Sequence, residues 1–187
     1  MSDFRPTLLL HACCAPCSAY VIQELKDEFE ITVFIYNPNI HPLEEYLKRA
    51  DELIRYLKKE NIDYIEAEYD IQNWLDKIKG LENEPEKGKR CNICFYMRLE
   101  KTANAAQDGH FDFFASTLSL SPHKDTKLIN NIGYELEYDY GVRFLDWDFK
   151  ENDGFRKSCE VSREQGFYRQ NYCGCVFSKK QREAQKT

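Results

Sequence analysis

Residues 7–17 read Thr-Leu-Leu-Leu-His-Ala-Cys-Cys-Ala-Pro-Cys, a short apolar run that ends in three closely spaced cysteines. The apolar half has the length of a strand and predicts a buried β-strand. Cys13, Cys14 and Cys17 follow it at once, and thiolates this close together are poor core residues but good ligands for soft metals. Adjacent cysteines seldom chelate one small ion comfortably, whereas they can reach different iron atoms of a cluster. The stretch therefore predicts a metal site, with an iron–sulfur cluster favoured, directly after the first strand.

A second pair of cysteines, Cys91 and Cys94, lies far from the first group in the sequence. Together with Cys13 and Cys14 it would supply four thiolates, the usual complement of a [4Fe-4S] cluster. Zinc is the alternative, because both Cys-x-x-Cys spacings also match a structural zinc site. A structural zinc usually stabilises a small module without a core of its own, and this chain is long enough to have one, so iron is favoured.

Strand-like and helix-like segments alternate along the chain. Strands are predicted at 7–11, 31–36, 63–69, 111–116 and 142–147, and helices at 18–29, 44–60, 72–79, 94–107 and 127–138. This alternation predicts βαβ units and an α/β fold, a parallel sheet with helices on both faces. Ligands bind such sheets beyond the carboxyl ends of the strands, which is where the first cysteines are expected.

The chain of 187 residues suits one domain with a real core. We expect a single α/β metal-binding domain over residues 1–178, helical and then irregular from Gly154. Residues 179–187 form a charged tail that is expected to be flexible.

Composition limits the environment of the protein. No apolar run is long enough to span a membrane, and the N-terminus does not resemble a signal peptide, so a cytoplasmic location without membrane contact is expected. In that compartment eight cysteines indicate metal or redox chemistry and not a disulfide framework. The net charge of −6 is not typical of a nucleic-acid binder, although basic residues cluster at 87–90 and 179–182.

Polar residues follow two further predicted strands and should lie at the same edge of the sheet. Asp70 is either a ligand of a single metal ion or the N-cap of the next helix. In the turn at 119–125, His123 is a candidate proton donor, and Lys124 could hold a phosphate or stabilise an alkoxide.

A stretch near the C-terminus combines aromatic, basic and thiol side chains. Tyr168, Arg169 and Tyr172 are candidates to stack on a base and grip a phosphate. Cys173 and Cys175 could form a reversible disulfide or serve as further metal ligands.

Eight stretches, taken together, resemble the QueH-type epoxyqueuosine reductases. They span nearly the whole chain, at residues 11–17, 36–42, 44–46, 69–70, 80–86, 90–94, 119–125 and 168–175. The resemblance implies a Rossmann-like fold of the adenine-nucleotide hydrolase (HUP) type, with cysteines in place of the phosphate loop of its ATP-using relatives. It also implies a cobalamin-independent oxidoreductase, which reduces the epoxide of epoxyqueuosine at the tRNA wobble position to the alkene of queuosine.

The resemblance also assigns roles to residues. It implies that Cys13, Cys14, Cys91 and Cys94 hold a [4Fe-4S] cluster, and that a second metal ion, expected to be iron, shares cluster thiolates and binds Asp70.

The reaction needs two electrons from an external donor and two protons, and it releases the oxygen as water. His123 or Tyr172 would supply a proton, and the second metal would act as a Lewis acid on the epoxide.

Three other functions are compatible with the residues. The first is a zinc-containing, ATP-dependent tRNA-modifying enzyme of the same fold, and the second is a non-catalytic, metal-dependent RNA-binding module. The third is a thiol–disulfide reductase that uses Cys14 with Cys17, or Cys173 with Cys175, and needs no metal.

Overall fold

The computed structural model describes residues 5–184. The strands are β1 (Thr7–Ala12), β2 (Glu30–Ile35), β3 (Asp63–Glu66), β4 (Phe113–Ser116) and β5 (Arg143–Phe144). The helices are α1 (Ala15–Leu25), α2 (Leu43–Glu60), α3 (Ile71–Lys77), α4 (Lys89–Asp108), α5 (Thr126–Tyr140), α6 (Gly154–Glu164) and α7 (Val176–Ala184), with short 3-10 turns at Thr117–Leu120 and Glu151–Asp153. No helix within this range is long and apolar enough to cross a membrane.

The strands form one parallel sheet in the order β3-β2-β1-β4-β5. The chain builds outward from β1 to β3 and then returns to the other side of β1 with β4 and β5. A crevice therefore opens between the carboxyl ends of β1 and β4, the switch point at which such sheets bind ligands. The predicted Rossmann-like α/β fold is confirmed.

Each face of the sheet has its own core. Leu8 and Leu10 of β1 point to one face, where they pack with Leu53 of α2 and with residues of α1. Leu9 points to the opposite face and packs with Leu99 of α4. A strand buried on both faces has to be apolar at nearly every position, which explains the leucine run.

Three strands are shorter than predicted, and β4 begins at Phe113 and not at residue 111. β3 ends at Glu66 and not at residue 69, because its partner β2 ends at Ile35 and offers no further backbone groups after the Ala67 N–H has bonded the Ile35 carbonyl at 3.0 Å. β5 has two residues where six were predicted, and it pairs only with Phe113 and Phe114 of β4.

Helix α4 begins at Lys89, so Cys91 and Cys94 lie on its first turns. The sequence had predicted that this helix begins at residue 94. The difference is explained by Arg90, which is buried and whose Nη1 donates to three carbonyl groups of the loop at 81–84 over 2.6–3.1 Å. The guanidinium thus fixes the loop and the start of the helix together.

The charged C-terminal segment forms helix α7 as far as Ala184 and packs on the domain. Phe177 stacks on Trp74 with ring centroids 6.2 Å apart, and Gln181 Nε2 donates to the Glu84 carbonyl at 3.1 Å. The charged composition suggested a tail without contacts to the domain. The apolar side of the segment, which carries Phe177, nevertheless packs on the domain. Residues 185–187 lie outside the described part of the chain.

Candidate functional site

The cysteines gather at the carboxyl edge of the sheet, at the crevice between β1 and β4. All eight cysteines of the chain lie within residues 5–184, and all are free thiols. Cys159 on α6 stands apart, and the other seven form two groups, each beside a cavity. The predicted location of the thiols at this edge is therefore correct.

The first group consists of Cys13, Cys14 and Cys17. Cys13 Sγ and Cys14 Sγ lie 3.7 Å apart, and Gln170 Nε2 donates to Cys14 Sγ at 3.1 Å. Pro16 at the start of α1 favours a helix right after β1, so the strand-to-helix turn brings these thiols together. Cys13 and Cys17 line a cavity of about 210 Å³, called here the first cavity.

The second group consists of Cys91, Cys94, Cys173 and Cys175. All four line the second cavity, of about 320 Å³, which adjoins the start of α4. The Lys87 backbone N–H donates to Cys91 Sγ at 3.2 Å. The interaction between the neighbouring Cys173 and Cys175 thiols lowers the pKa of Cys173 and raises the pKa of Cys175. A redox role for this last pair stays a prediction.

The two cavities share a wall. His123, Lys124, Glu86 and Cys173 line both of them. The Lys124 ammonium lies close enough to both thiol groups to lower the pKa of Cys13 and of Cys94, against the larger raising effects of the Cys13–Cys14 hydrogen bond and of burial. The loop after β4 therefore places its lysine between the two groups, as expected for residues at one edge of the sheet.

A hydrogen-bonded chain connects the two groups beneath this wall. Arg98 Nε donates to the Cys94 carbonyl at 3.2 Å, and its Nη1 donates to Asn37 Oδ1 at 3.4 Å. Asn37 Nδ2 in turn donates to the carbonyl of Ala12, the residue before Cys13, at 2.8 Å. Both Arg98 and Asn37 are buried. The ends of β1 and β2 and the first half of α4 are thus fastened together.

A second buried arginine fastens the segment at residues 172–175. Arg49 on α2 pairs with Glu45 at 2.7 Å, and its Nη2 and Nη1 donate to the carbonyls of Tyr172 and Cys173 at 3.3 Å. Gly174 lies between the two cysteines with φ of +110°, and a Cβ there would come within 2.8 Å of Ile40. Only glycine accepts this conformation in this space, which explains the Cys-Gly-Cys sequence.

His11 is a satisfied core histidine and not a ligand. It is fully buried, and burial followed by the charge of Arg98 lowers its pKa to about 3, so it is neutral. The Tyr36 carbonyl at 3.2 Å can only accept, so Nε2 carries the proton, and Nδ1 accepts from the Ser116 hydroxyl at 2.9 Å. The ring ties β1 to its two neighbours below the cysteines.

Asp70 is not brought to the cysteines. Its Oδ1 accepts the Asn73 N–H at 3.3 Å as the N-cap of α3, the alternative considered for it. It lines a separate cavity of about 300 Å³ with Tyr36, Lys77 and Lys101.

Two of the predicted tyrosines are engaged elsewhere. The Tyr172 hydroxyl donates to the His41 carbonyl at 2.5 Å, and burial raises its pKa to about 12, so it is not free to protonate a substrate. The Tyr168 hydroxyl donates to Glu45, and Lys48 Nζ lies 3.4 Å from the centre of its ring. Its ring face is therefore covered. Arg169, in contrast, lines the first cavity and is exposed.

Most of the Cys, His, Asp and Glu side chains that line the two cavities are thiols. Between residues 5 and 184, no three Cys, His, Asp or Glu side chains lie close enough to share one metal ion. Six free thiols nevertheless line the two adjoining cavities, and a cluster of four irons spreads its ligands farther apart than one ion does. Asn39 Oδ1, at the second cavity, is a buried polar atom without a hydrogen-bond partner in the described part of the protein. Such an atom indicates a polar occupant.

Sequence reasoning missed the buried arginines. Arg90, Cys94 and Arg98 follow one another at intervals of four residues and so share one face of α4. Two arginines on the same helix face as a suspected ligand could have indicated that these arginines are buried beside it. Arg49 and Gln170 gave no such signal, since their contacts join segments more than 100 residues apart.

Comparisons with known proteins identify a family for this chain. Residues 8–181 match the family described as epoxyqueuosine reductase QueH. A relative with that name from Streptococcus pyogenes serotype M1 is 43% identical over 182 residues, which cover 94% of this chain and 71% of the relative. The Haemophilus influenzae relative of the same name is 46% identical over 180 residues, covering 95% of this chain and 74% of its own.

Among solved structures, the chain is similar to the U34-tRNA thiolase NcsA from Methanococcus maripaludis with its [4Fe-4S] cluster. The TM-score is 0.59 at 15% identity, over 97% of this chain and 66% of that chain. At this identity the likeness shows the fold alone, and it agrees with the Rossmann-like sheet. The sequence matches, in contrast, extend over nearly the whole chain and confirm the resemblance found in its motifs. The chain belongs to the epoxyqueuosine reductase QueH family, a family of oxidoreductases.

Proposed function

We propose that this protein reduces the epoxide of epoxyqueuosine in tRNA to the alkene of queuosine, with a [4Fe-4S] cluster held by Cys13, Cys14, Cys91 and Cys94. The reaction consumes two electrons and two protons and releases the oxygen as water. The cluster, when bound, supplies electrons one at a time. An external donor has to deliver them, because a cysteine pair of the chain would supply two electrons only once, on oxidation to a disulfide, before it had to be reduced again.

The observation that carries the proposal is the gathering of free thiols around buried positive charge. Cys13 lines the first cavity and Cys94 the second, Lys124 lines both, and the buried Arg98 lines the second. These cations act against the burial and the neighbouring thiol that raise the pKa of the two cysteines. Positive charge stabilises thiolates, which are the form that binds iron. NcsA, a tRNA-modifying enzyme of similar fold, carries such a cluster, and this supports the same kind of cofactor here.

The proposal does not include the second metal ion. Its expected ligand, Asp70, lines the cavity beside Tyr36 and caps α3. The residues present do not fit a mononuclear site that joins Asp70 to the cysteines, so we derive no step through it.

His123 and Lys124 are the side chains best placed to act on the epoxide. They border both cavities, beside each thiol group. An imidazole can donate a proton at neutral pH, and a lysine ammonium stabilises the negative charge that develops on the opening oxygen. Tyr172 is excluded from this role by its bond to the His41 carbonyl.

The rim of the first cavity suits a polyanion, although the whole chain is acidic. Arg169 and Lys124 line it, and within the described range neither is paired with a carboxylate. We propose that Arg169 contacts a phosphate of the tRNA anticodon loop.

Arg169→Met should weaken tRNA binding and reduce the slope of log Kd against log salt by about 0.7–0.9, the effect of one lost phosphate contact. The matched control is Arg163→Met, since Arg163 is exposed on α6 and lines neither cavity. Filter binding or fluorescence anisotropy at several salt concentrations measures both variants. Equal slopes for the two variants would remove Arg169 from the interface.

The function itself is tested by anaerobic purification followed by iron, sulfide and zinc determination. We expect about four iron and four sulfide per chain. Incubation with epoxyqueuosine-containing tRNA and dithionite should then yield queuosine, measured by mass spectrometry of the nucleosides. Zinc without sulfide, or tRNA binding without any conversion, would replace the proposal by one of the alternatives.

A further inference from the structure

Arg98 carries a positive charge that the described protein leaves without a counter-ion. Its side chain is only 3% exposed. Its hydrogen bonds reach two neutral oxygens, the Cys94 carbonyl and Asn37 Oδ1. No carboxylate within residues 5–184 forms an ion pair with it. Of the other buried arginines, Arg49 has Glu45 as its partner at 2.7 Å. Arg90 also lines the second cavity, and it donates to three backbone carbonyls of the loop at 81–84.

An unpaired guanidinium in the interior is costly, because its hydration is lost and neutral oxygens replace only part of it. Because the described polypeptide offers Arg98 no carboxylate, we expect another anion to balance its charge. Arg98 lines the second cavity, together with the four thiols of the second group. It also acts electrostatically on Cys13 in the first group. An anionic occupant between the two groups would satisfy it.

We infer that Arg98 is the internal counter-cation of the thiolate-bound cluster, and that its charge raises the reduction potential of that cluster. The inference rests on the proposed function. A cluster with four thiolate ligands is negatively charged, and reduction adds one more negative charge. A fixed cation close by stabilises the reduced form more than the oxidised form, so the potential rises. Arg98 is thus a positioning residue that acts through the cofactor.

The second part of its role is geometric. Through Asn37, the guanidinium is linked to the Ala12 carbonyl on one side, and directly to the Cys94 carbonyl on the other. The same side chain that balances the charge therefore holds the two cysteine segments at a fixed separation. Lysine would keep the charge but lose the planar fork, so the two contributions can be separated by substitution.

The experiment compares the intact protein with Arg98→Met and Arg98→Lys after anaerobic reconstitution of the cluster. Midpoint potentials are measured by dye-mediated titration with dithionite, followed by absorbance and electron paramagnetic resonance. We expect a lower potential for R98M and a potential near that of the unchanged protein for R98K. Lys101→Met is the matched control, because Lys101 is an exposed cation on the same helix that faces the separate cavity beside Tyr36.

Each outcome decides between the alternatives. If R98M has the same potential as the unchanged protein, the counter-cation assignment is wrong. If R98M folds normally by circular dichroism but binds no cluster, while R98K does, the charge requirement is supported. If both variants fold but neither binds the cluster, the planar geometry of the guanidinium and not its charge is required, and the counter-cation assignment is wrong. A protein without substitutions that binds no iron and sulfide would instead refute the proposed cofactor.

Discussion

Cys94→Ser should lose the iron–sulfur cluster and reduce turnover by more than the roughly 10–100-fold typical of residues that only support metal ligands. Cys94 is buried on the second turn of α4, and it is one of the four thiols proposed to hold iron. Serine has nearly the same shape but its hydroxyl is a poor ligand for iron. Iron and sulfide content per chain and the yield of queuosine from epoxyqueuosine-containing tRNA measure the effect.

Cys159→Ser is the matched control for this substitution. Cys159 lies on α6 and borders neither of the two cavities, so its removal should leave iron content and turnover unchanged. A C94S protein with full iron content and normal turnover would remove Cys94 from the ligand set. Equal losses in both variants would indicate general instability and not a ligand role.

Arg49→Met should lower the free energy of unfolding by about 3–5 kcal/mol, the cost of removing one partner from a buried ion pair. The substitution leaves the Glu45 carboxylate, 13% exposed, without its cation. It also leaves the Tyr172 and Cys173 carbonyls without their donors. Guanidinium chloride unfolding followed by circular dichroism measures the change.

Arg55→Met on the same helix is the control for this prediction. Arg55 is exposed, and its Nε donates only to the Asp51 carbonyl at 3.3 Å, so its loss should change stability by no more than about 0.5 kcal/mol. The double variant Glu45→Met with Arg49→Met removes both charges and should recover part of the stability. A single R49M variant as stable as R55M would show that the pair contributes nothing.

Loss of Arg49 also affects the candidate site, because its guanidinium donates to the backbone of the segment that carries Cys173. That thiol lines both cavities, so its displacement would alter the wall between them. Stability and site geometry are therefore coupled through one buried guanidinium.

The order of the elements could be predicted because each one has a local signal. The leucine run of β1 is apolar on both faces of the strand, and α2 has a clear apolar stripe. The predicted bounds of these two elements therefore lie within a few residues of the observed ones. The start of α4 was missed because it depends on Arg90 contacts to a loop, which no helical periodicity reports. The packing of α7 on the domain was not predicted, because it depends on the contact of one aromatic residue, Phe177, with Trp74 in a segment that is otherwise charged.

The sequence by itself determined the sheet, the edge at which the cysteines gather and the family, because short-range periodicity and residue spacing encode these features directly. Only the tertiary structure decided that Asp70 caps a helix away from the thiols and that the Tyr172 hydroxyl is bound to the His41 carbonyl. It also decided that Arg98 lies buried without a carboxylate partner in the described chain. Hydrogen bonding and burial of a side chain depend on neighbours that are distant in sequence, and local patterns carry no information about them.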